Sequence, residues 1–277
     1  MDALLANEPV IRLAAFAGVL ALVAALEACF PRKRRSFSRW RRWPNNLGVV
    51  VLDTLLLRLV FPTAAVGAAL FAEARGIGLI PWIGLPPVAA IPAAIVLLDL
   101  VIYLQHRLFH AVPPLWRLHR MHHADLDFDI TTGLRFHPAE ILLSMVIKLV
   151  VVVALGAPAV AVLIFEVLLN ATSMFSHANL RLPGPLDRAV RLLLVTPDMH
   201  RVHHSILKRE TDSNFGFNLA LWDRLFGTYR AQPAAGHDGM TIGIAQFRAP
   251  REMWLDRMLT QPLRDEGPAP ARPQAER

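Results

Sequence analysis

The feature that most restricts this chain is a set of apolar runs too long for the core of a soluble domain. From about Val10 to Phe30 the sequence is apolar enough to cross a bilayer, for which about 20 residues suffice. A second run covers about Leu47 to Ala72, interrupted by Asp53 and Arg58, and a third covers about Ile80 to Gln105. Pro81, Pro86, Pro87 and Pro92 lie in that third run and put the regular part of its helix after Pro92. The stretch from Ile141 to Phe175 is too long for one crossing. Gly156, Ala157 and Pro158 divide it into two short helices, a pair of tilted crossings or an intramembrane hairpin. Charged residues make up only 18% of the chain, against roughly 25% in soluble domains. The expectation is an all-α integral membrane protein. An N-terminal helix region is followed by about four transmembrane or paired hairpin helices, with a cytosolic helical cap.

Charge distribution orients these segments. Of the 29 Lys and Arg residues, seven fall between Arg32 and Arg42, directly after the first apolar run. Such a cluster reads as a juxtamembrane anchor facing anionic headgroups on the cytoplasmic side. The chain starts MDALLANEP, with acids before the run, so a retained helix with its N-terminus outside fits better than a signal peptide. Residues 31–46, 106–140 and 176–277 then share the cytoplasmic face, and the inner membrane of a bacterium is the expected location. The formal charge of +7 comes with no aromatic-basic platform or finger spacing, so no nucleic-acid partner is expected. One cysteine, Cys29, excludes an internal disulfide and a cysteine zinc site. Residues 1–46 read as the N-terminal helix and basic loop, and residues 47–230 as the main membrane domain. Residues 231–277 read as a linker, an interfacial helix in REMWLDRMLTQPL and a disordered tail.

The histidines supply the chemistry. Asp99, Tyr103, His106 and His110 are spaced by four, three and four and form one polar stripe on a helix. A carboxylate among leucines there either fastens two helices or orients a ligating imidazole. In HRMHH, His119, His122 and His123 share one helical face, and His200, His203 and His204 repeat the pattern in HRVHH. His137 in RFHPAE and His177 in FSHAN lie between the triads, leaving His237 as the one histidine of eleven outside the set. Neutral imidazole binds iron, zinc, copper and nickel. Ten imidazoles can serve two ions, whereas a structural zinc site needs about four ligands. Asp125, Asp127, Asp129 and Glu140 stand near the first triad, as counter-charges for the ions or as solvated loop residues. In WDRLFGTY, Trp222, Leu225 and Phe226 form an apolar anchor, and Asp223 and Arg224 are a candidate ion pair.

At these residues the chain resembles the fatty acid hydroxylase and sterol desaturase superfamily of membrane histidine-box oxygenases. HRLFH at 106–110 is similar to its HxxxH box, and HRMHH and HRVHH are similar to its two HxxHH boxes. The stripe of Asp99 and Tyr103, RFHP at 135–138, SHAN at 176–179 and NFG...LWDRLFGTY at 214–229 extend the likeness over about residues 47–230. The resemblance implies four membrane crossings and a cytosolic cap holding two iron ions on His106, His110, His119, His122, His123, His137, His177, His200, His203 and His204. Zinc can replace iron in purified protein. It further implies dioxygen as co-substrate, a membrane lipid as substrate, and a separate electron donor such as a ferredoxin or cytochrome with its reductase. Asp99, Tyr103 and Asn214 are implied at the catalytic site, although Phe215 stands where the family has a tyrosine.

Overall fold

The computed structural model describes residues 2–265; the disordered tail expected at 267–277 lies outside the described residues. Among these the regular structure is helical, with isolated β-bridges only. Helix α1 is Glu8–Cys29, α2 is Arg39–Val60, and α3 is Ala64–Arg75. Helix α4 is Pro87–Ala111, α5 Pro113–His123, α6 Pro138–Leu155, α7 Ala159–Ser176 and α8 Pro197–His203. Five segments are long and apolar enough to cross a membrane: α1, Arg39–Trp82, α4, α6 and α7. The protein is thus an all-α chain with the build of an integral membrane protein.

The packing of these helices is that of a lipid-solvated bundle. At the contacts sit small residues, Ala65 and Ala69 of α3, Ala94 of α4 and Ala161 of α7, all fully buried. Small side chains let backbones approach closely, which matters where lipid supplies no hydrophobic driving force. Large residues point outward instead: Leu59 is 79% exposed and Val150 64%. In water such a surface would aggregate.

Two turns close the end of the bundle away from the histidines. Gly156 ends α6 with φ +60°, and Pro158 starts α7, so the Gly-Ala-Pro turn forms as expected. Gly78, at φ +120°, presses against it: a Cβ there would lie 2.1 Å from the Gly156 nitrogen. Only glycine allows that approach.

Three expectations are corrected. Helix α4 begins at Pro87 and contains Pro92, rather than starting after it. So near the helix start the proline removes little of the hydrogen-bond ladder. The second apolar run is two helices, because the chain breaks at Phe61–Thr63 around Pro62. The basic cluster is only partly a headgroup anchor. Arg42 is fully buried, with Nη2 2.6 Å from Asp125 Oδ2 and Nη1 2.5 Å from Asp129 Oδ2. Arg32 pairs with Asp198 and Asp238, and Arg39 with Glu27.

The segment after Tyr229, read as a linker and interfacial helix, packs on the cap. Ile206 N–H donates to the Thr241 carbonyl, and Gly243 N–H to that of His204. A helix does form at Leu255–Thr260, but Met258 is buried against Val49 and Met121. Arg117 and Arg120 of α5 tie down the Pro262 and Gln261 carbonyls.

Candidate metal centre

Four pieces of chain deliver nine imidazoles to one end of the bundle. Helix α4 brings His106 and His110, and α5 brings His119, His122 and His123. His177 caps the C-terminus of α7, and α8 with its cap brings His200, His203 and His204. They form two groups: His106, His110, His119, His123 and His203 in one, His122, His177, His200 and His204 in the other. Within each group one nitrogen per residue lies within 4.8 Å of all the others. The groups adjoin, with the His123 and His204 rings stacked at 4.4 Å between centroids. Each HxxHH box therefore serves both groups, since adjacent helical positions point about 100° apart.

The outer nitrogens show why these are not simply packed rings. His106 Nδ1–H donates to the Phe215 carbonyl at 2.8 Å and His203 Nδ1–H to the Ser213 carbonyl at 2.7 Å. His119 Nδ1–H donates to Glu140 Oε1 at 2.7 Å, and His177 Nδ1–H to the Ser173 carbonyl at 2.7 Å. With the proton on Nδ1, each neutral ring presents a bare lone pair at Nε2. Those lone pairs converge. His106 Nε2 lies 3.1 Å from His119 Nε2 and 3.0 Å from His203 Nε2. His177 Nε2 lies 3.2, 3.0 and 3.1 Å from the Nε2 atoms of His122, His200 and His204. In the first group no arrangement of single ring protons satisfies such contacts, and in the second at most one of the three rings can donate to the His177 Nε2 lone pair. A cation satisfies them: the separations are about 1.4 times a metal–imidazole bond of roughly 2.1 Å, the edge of a coordination shell. Both groups fit a transition-metal ion.

Electrostatics agree with that fit. Burial pushes the His177 and His203 imidazoles down to about 3. Those of His122, His123, His200 and His204 are also driven well below the ordinary value, by burial first and by neighbouring imidazoles second. All six are neutral near pH 7, the state that binds metal.

The tenth expected ligand stands apart. His137 caps α6, its Nδ1 accepting from Ala139 N–H at 3.1 Å, while its Nε2 faces the Leu259 carbonyl at 3.1 Å. Both ring nitrogens are occupied, and His137 belongs to neither group. Of the residues expected at the catalytic site, Asp99 and Tyr103 make their hydrogen bonds away from the imidazoles, and Asn214 reaches His200 through its backbone. Asp99 accepts from the backbone N–H of Asn218 and Leu219 and from Trp222 Nε1 at 2.8 Å. Tyr103 shares a hydrogen bond of 2.8 Å with Thr228 Oγ1 and stacks on Phe226. Asn214, at φ +52°, donates from Nδ2 to the Met199 and Arg230 carbonyls. Together they hold the segment whose Ser213 and Phe215 carbonyls aim His203 and His106.

The acids near the first triad divide similarly. Glu140 orients His119, whereas Asp125 and Asp129 answer Arg42 and Asp127 accepts from Phe37 N–H. Although burial pushes the Asp125 carboxyl up, Arg42 and Arg135 hold it below the usual carboxylate range. Asp223 does not pair with Arg224; it accepts from the N–H of Phe215 and Gly216, while Arg224 donates to the Ala220 and Arg191 carbonyls. Sequence reasoning missed the Ser213, Phe215 and Ser173 carbonyls, which have no side-chain signature. It also missed Phe136, stacked on His122 at 4.4 Å, and Phe217, 5.1 Å from His106 and packed against the apolar bundle core.

Fold and site together define a class: an all-α protein with membrane-length helices and two adjoining histidine groups suited to two metal ions. Comparison with known proteins narrows it. The fatty acid hydroxylase family profile matches residues 91–228, about half of the chain and all nine clustered histidines. The ornithine lipid hydroxylase OlsE of Rhizobium tropici is 33% identical over 156 residues, 55% of this chain and 46% of that protein. Alkylglycerol monooxygenase of Homo sapiens is 31% identical over 149 residues, 54% of this chain and 32% of that protein. The same enzyme of Danio rerio is 30% identical over 166 residues, 59% of this chain and 35% of that protein. The match spans less than half the length of these relatives. No solved structure matches. The chain belongs to the fatty acid hydroxylase and sterol desaturase superfamily of histidine-box oxygenases, and this membership with the two histidine groups supports a metal-dependent oxidoreductase role.

Proposed function

We propose that the protein hydroxylates a membrane lipid, on a carbon of its acyl chain, using dioxygen and two iron ions. The observation that carries this reading is the convergence of bare imidazole nitrogens in two adjoining groups at one end of an apolar bundle. Irons held by His106, His110, His119, His123 and His203 and by His122, His177, His200 and His204 would supply the oxidising power that an unactivated C–H bond requires. Dioxygen gives one oxygen atom to carbon and one to water, consuming two electrons and two protons. A separate ferredoxin or cytochrome with its reductase supplies the electrons.

The chain's own residues set the conditions. Carbonyls and Glu140 keep the proton on the outer nitrogen of His106, His119, His177 and His203, so the inner nitrogens of these four stay free for metal. Phe217 lies between His106 and the bundle core, and Phe136, stacked on His122, stands beside it, so the imidazoles have an apolar border. Each methylene buried on such a surface contributes about 0.8 kcal/mol, so an acyl chain is favoured over water beside the metals. The names of the relatives concern ornithine lipid and alkylglycerol, both lipids, and hydroxylation or monooxygenation rather than desaturation.

Comparative lipid mass spectrometry of cells expressing the intact protein or His203→Ala, with a reductase present, tests the reading. The expected product is heavier by one oxygen, labelled from heavy dioxygen, and fragmentation places it on the acyl chain. Loss of two hydrogens would assign desaturation instead, and cleavage without oxidation would refute both. The same reading puts residues 31–46, 106–140 and 176–277 at the cytoplasmic face of a bacterial inner membrane. Single cysteines at the exposed Ser38, Lys208 and Trp82, in a Cys29-free variant, should label from inside, inside and outside respectively. Outside labelling at Lys208 would overturn the orientation.

A further inference from the structure

A polar cavity of about 220 Å³ opens between the loop after α1 and the segment around Met240. Lys33, Arg34, Arg201 and Arg248 line it, with Asp127 as the one carboxylate. That carboxylate is partly committed, since Oδ2 accepts the Phe37 N–H at 2.7 Å. Arg201 is the telling residue. It is 2% exposed, its Nη2 donates to Asn179 Oδ1 at 2.8 Å, and its buried Nε has no partner. Among the described residues no carboxylate oxygen lies within 4.0 Å of its guanidinium, in contrast to Arg42. An arginine buried with no carboxylate in contact is costly, and Asp198, Asp127 and Glu27 act on this one only from beyond that distance.

The depth of the cavity indicates what would supply the charge. Lys33 follows the end of α1 at Cys29 by four residues, and Asn179 follows the end of α7 at Ser176 by three. Residues just beyond two membrane-length helices stand at the level of lipid headgroups. One cavity wall, Phe128, carries the Arg201 guanidinium over its ring at 4.8 Å and lies 5.6 Å from the His177 ring and 5.1 Å from that of His204.

We propose that this cavity binds an oxyanion, a phosphate or carboxylate, beside the second histidine group. Arg201 and Lys33 are its principal donors, and Arg34 at the mouth adds charge. The source is a lipid headgroup or a free ion of the same chemistry. The site stands independently of what the metal centre oxidises.

The test uses the full-length, metal-loaded protein. Titration with inorganic phosphate in detergent reads the free ion. Native mass spectrometry from nanodiscs of phosphatidylglycerol or phosphatidylcholine reads the headgroup. Saturable binding is expected, weakened about tenfold or more in the Lys33→Ala/Arg34→Ala double variant and in Arg201→Lys, because charge-assisted hydrogen bonds are lost. Metal content, measured alongside, confirms that each variant is intact; if Arg201→Lys fails that check, the Lys33/Arg34 variant decides alone. Retained phosphatidylglycerol, sensitive to these changes, assigns the site to a headgroup. Phosphate binding without lipid preference assigns it to a free ion. Absence of saturable binding to either probe, or variants that bind as tightly as the parent, would overturn the proposal.

Discussion

Two buried polar clusters adjoin in the cap and are stabilised in different ways. Arg42, Asp125, Asp129 and Arg135 are fully buried; Arg42 meets both carboxylates at 2.5 and 2.6 Å, and Arg135 adds its charge at 3.4 Å from Asp125 without a hydrogen bond. Thr131, Thr132 and Trp43 donate to the same carboxylates. The nine histidines are also buried, but their inner nitrogens face one another at 3.0 to 3.2 Å. The first cluster closes its charge with the chain's own residues. The second closes only with cations from outside. Charges that the chain balances with its own opposite charges serve as scaffold, and lone pairs that converge with too few donors among them mark a binding site.

The largest expected effect comes from breaking the self-satisfied cluster. Arg42→Ala strands two buried carboxylates and should cost about 3 to 5 kcal/mol, read as a lowered unfolding temperature in detergent. Arg42→Lys should recover only part of this, because an ammonium cannot match the fork that meets Asp125. An unchanged unfolding temperature for Arg42→Ala would show that α2 is held to the cap by other means.

Next in size is removal of a histidine from the open cluster. His203→Ala should lower bound metal from two equivalents toward one, and activity by about a hundredfold or more, while the chain stays folded. Elemental analysis with circular dichroism separates the two readouts. Retention of two full equivalents would place His203 outside the coordination shell.

Acidity sharpens the contrast further. His177 and His203 sit at about 3 in the folded chain, against about 6.5 in an unfolded one. The unfolded state therefore takes up protons first. Metal-free protein should lose stability as pH falls below about 6.5 and keep losing it toward 3, with no contribution from these groups above neutrality. Bound metal should delay the loss, because protons and metal compete for the same nitrogens. Chemical denaturation of metal-free and metal-loaded protein across this range checks both parts. Equal acid sensitivity of the two forms would contradict the site.

His137→Ala should have the smallest effect. Losing the cap of α6 costs about 1 kcal/mol, and metal content should match the parent. A fall to one equivalent would return His137 to the ligand set.

Much of this was legible in the sequence for identifiable reasons. Hydropathy shows the membrane helices because a bilayer demands length and apolarity whatever the tertiary contacts. The HxxHH and HxxxH spacings show the ligands because helical periodicity alone puts those rings on one face. His137 shows the limit of such spacing, because RFHPAE also serves as a helix cap and composition does not separate the two uses. The basic cluster was misread because a charge count cannot reveal that Arg42 turns inward to acids 83 and 87 residues away.

By itself, then, the sequence determined the helical membrane character, the family and the nine histidines that cluster, all properties written in local spacing and hydropathy. Tertiary structure alone decided how the ligands divide. His122 and His123 are neighbours in sequence yet join different groups, and His203 separates from His200 and His204. It also gave Asp99, Tyr103 and Asn214 their partners, backbone atoms and side chains brought together only by folding. The physical reason is that periodicity places a side chain on a face of its own helix. What that face meets depends on where other helices arrive.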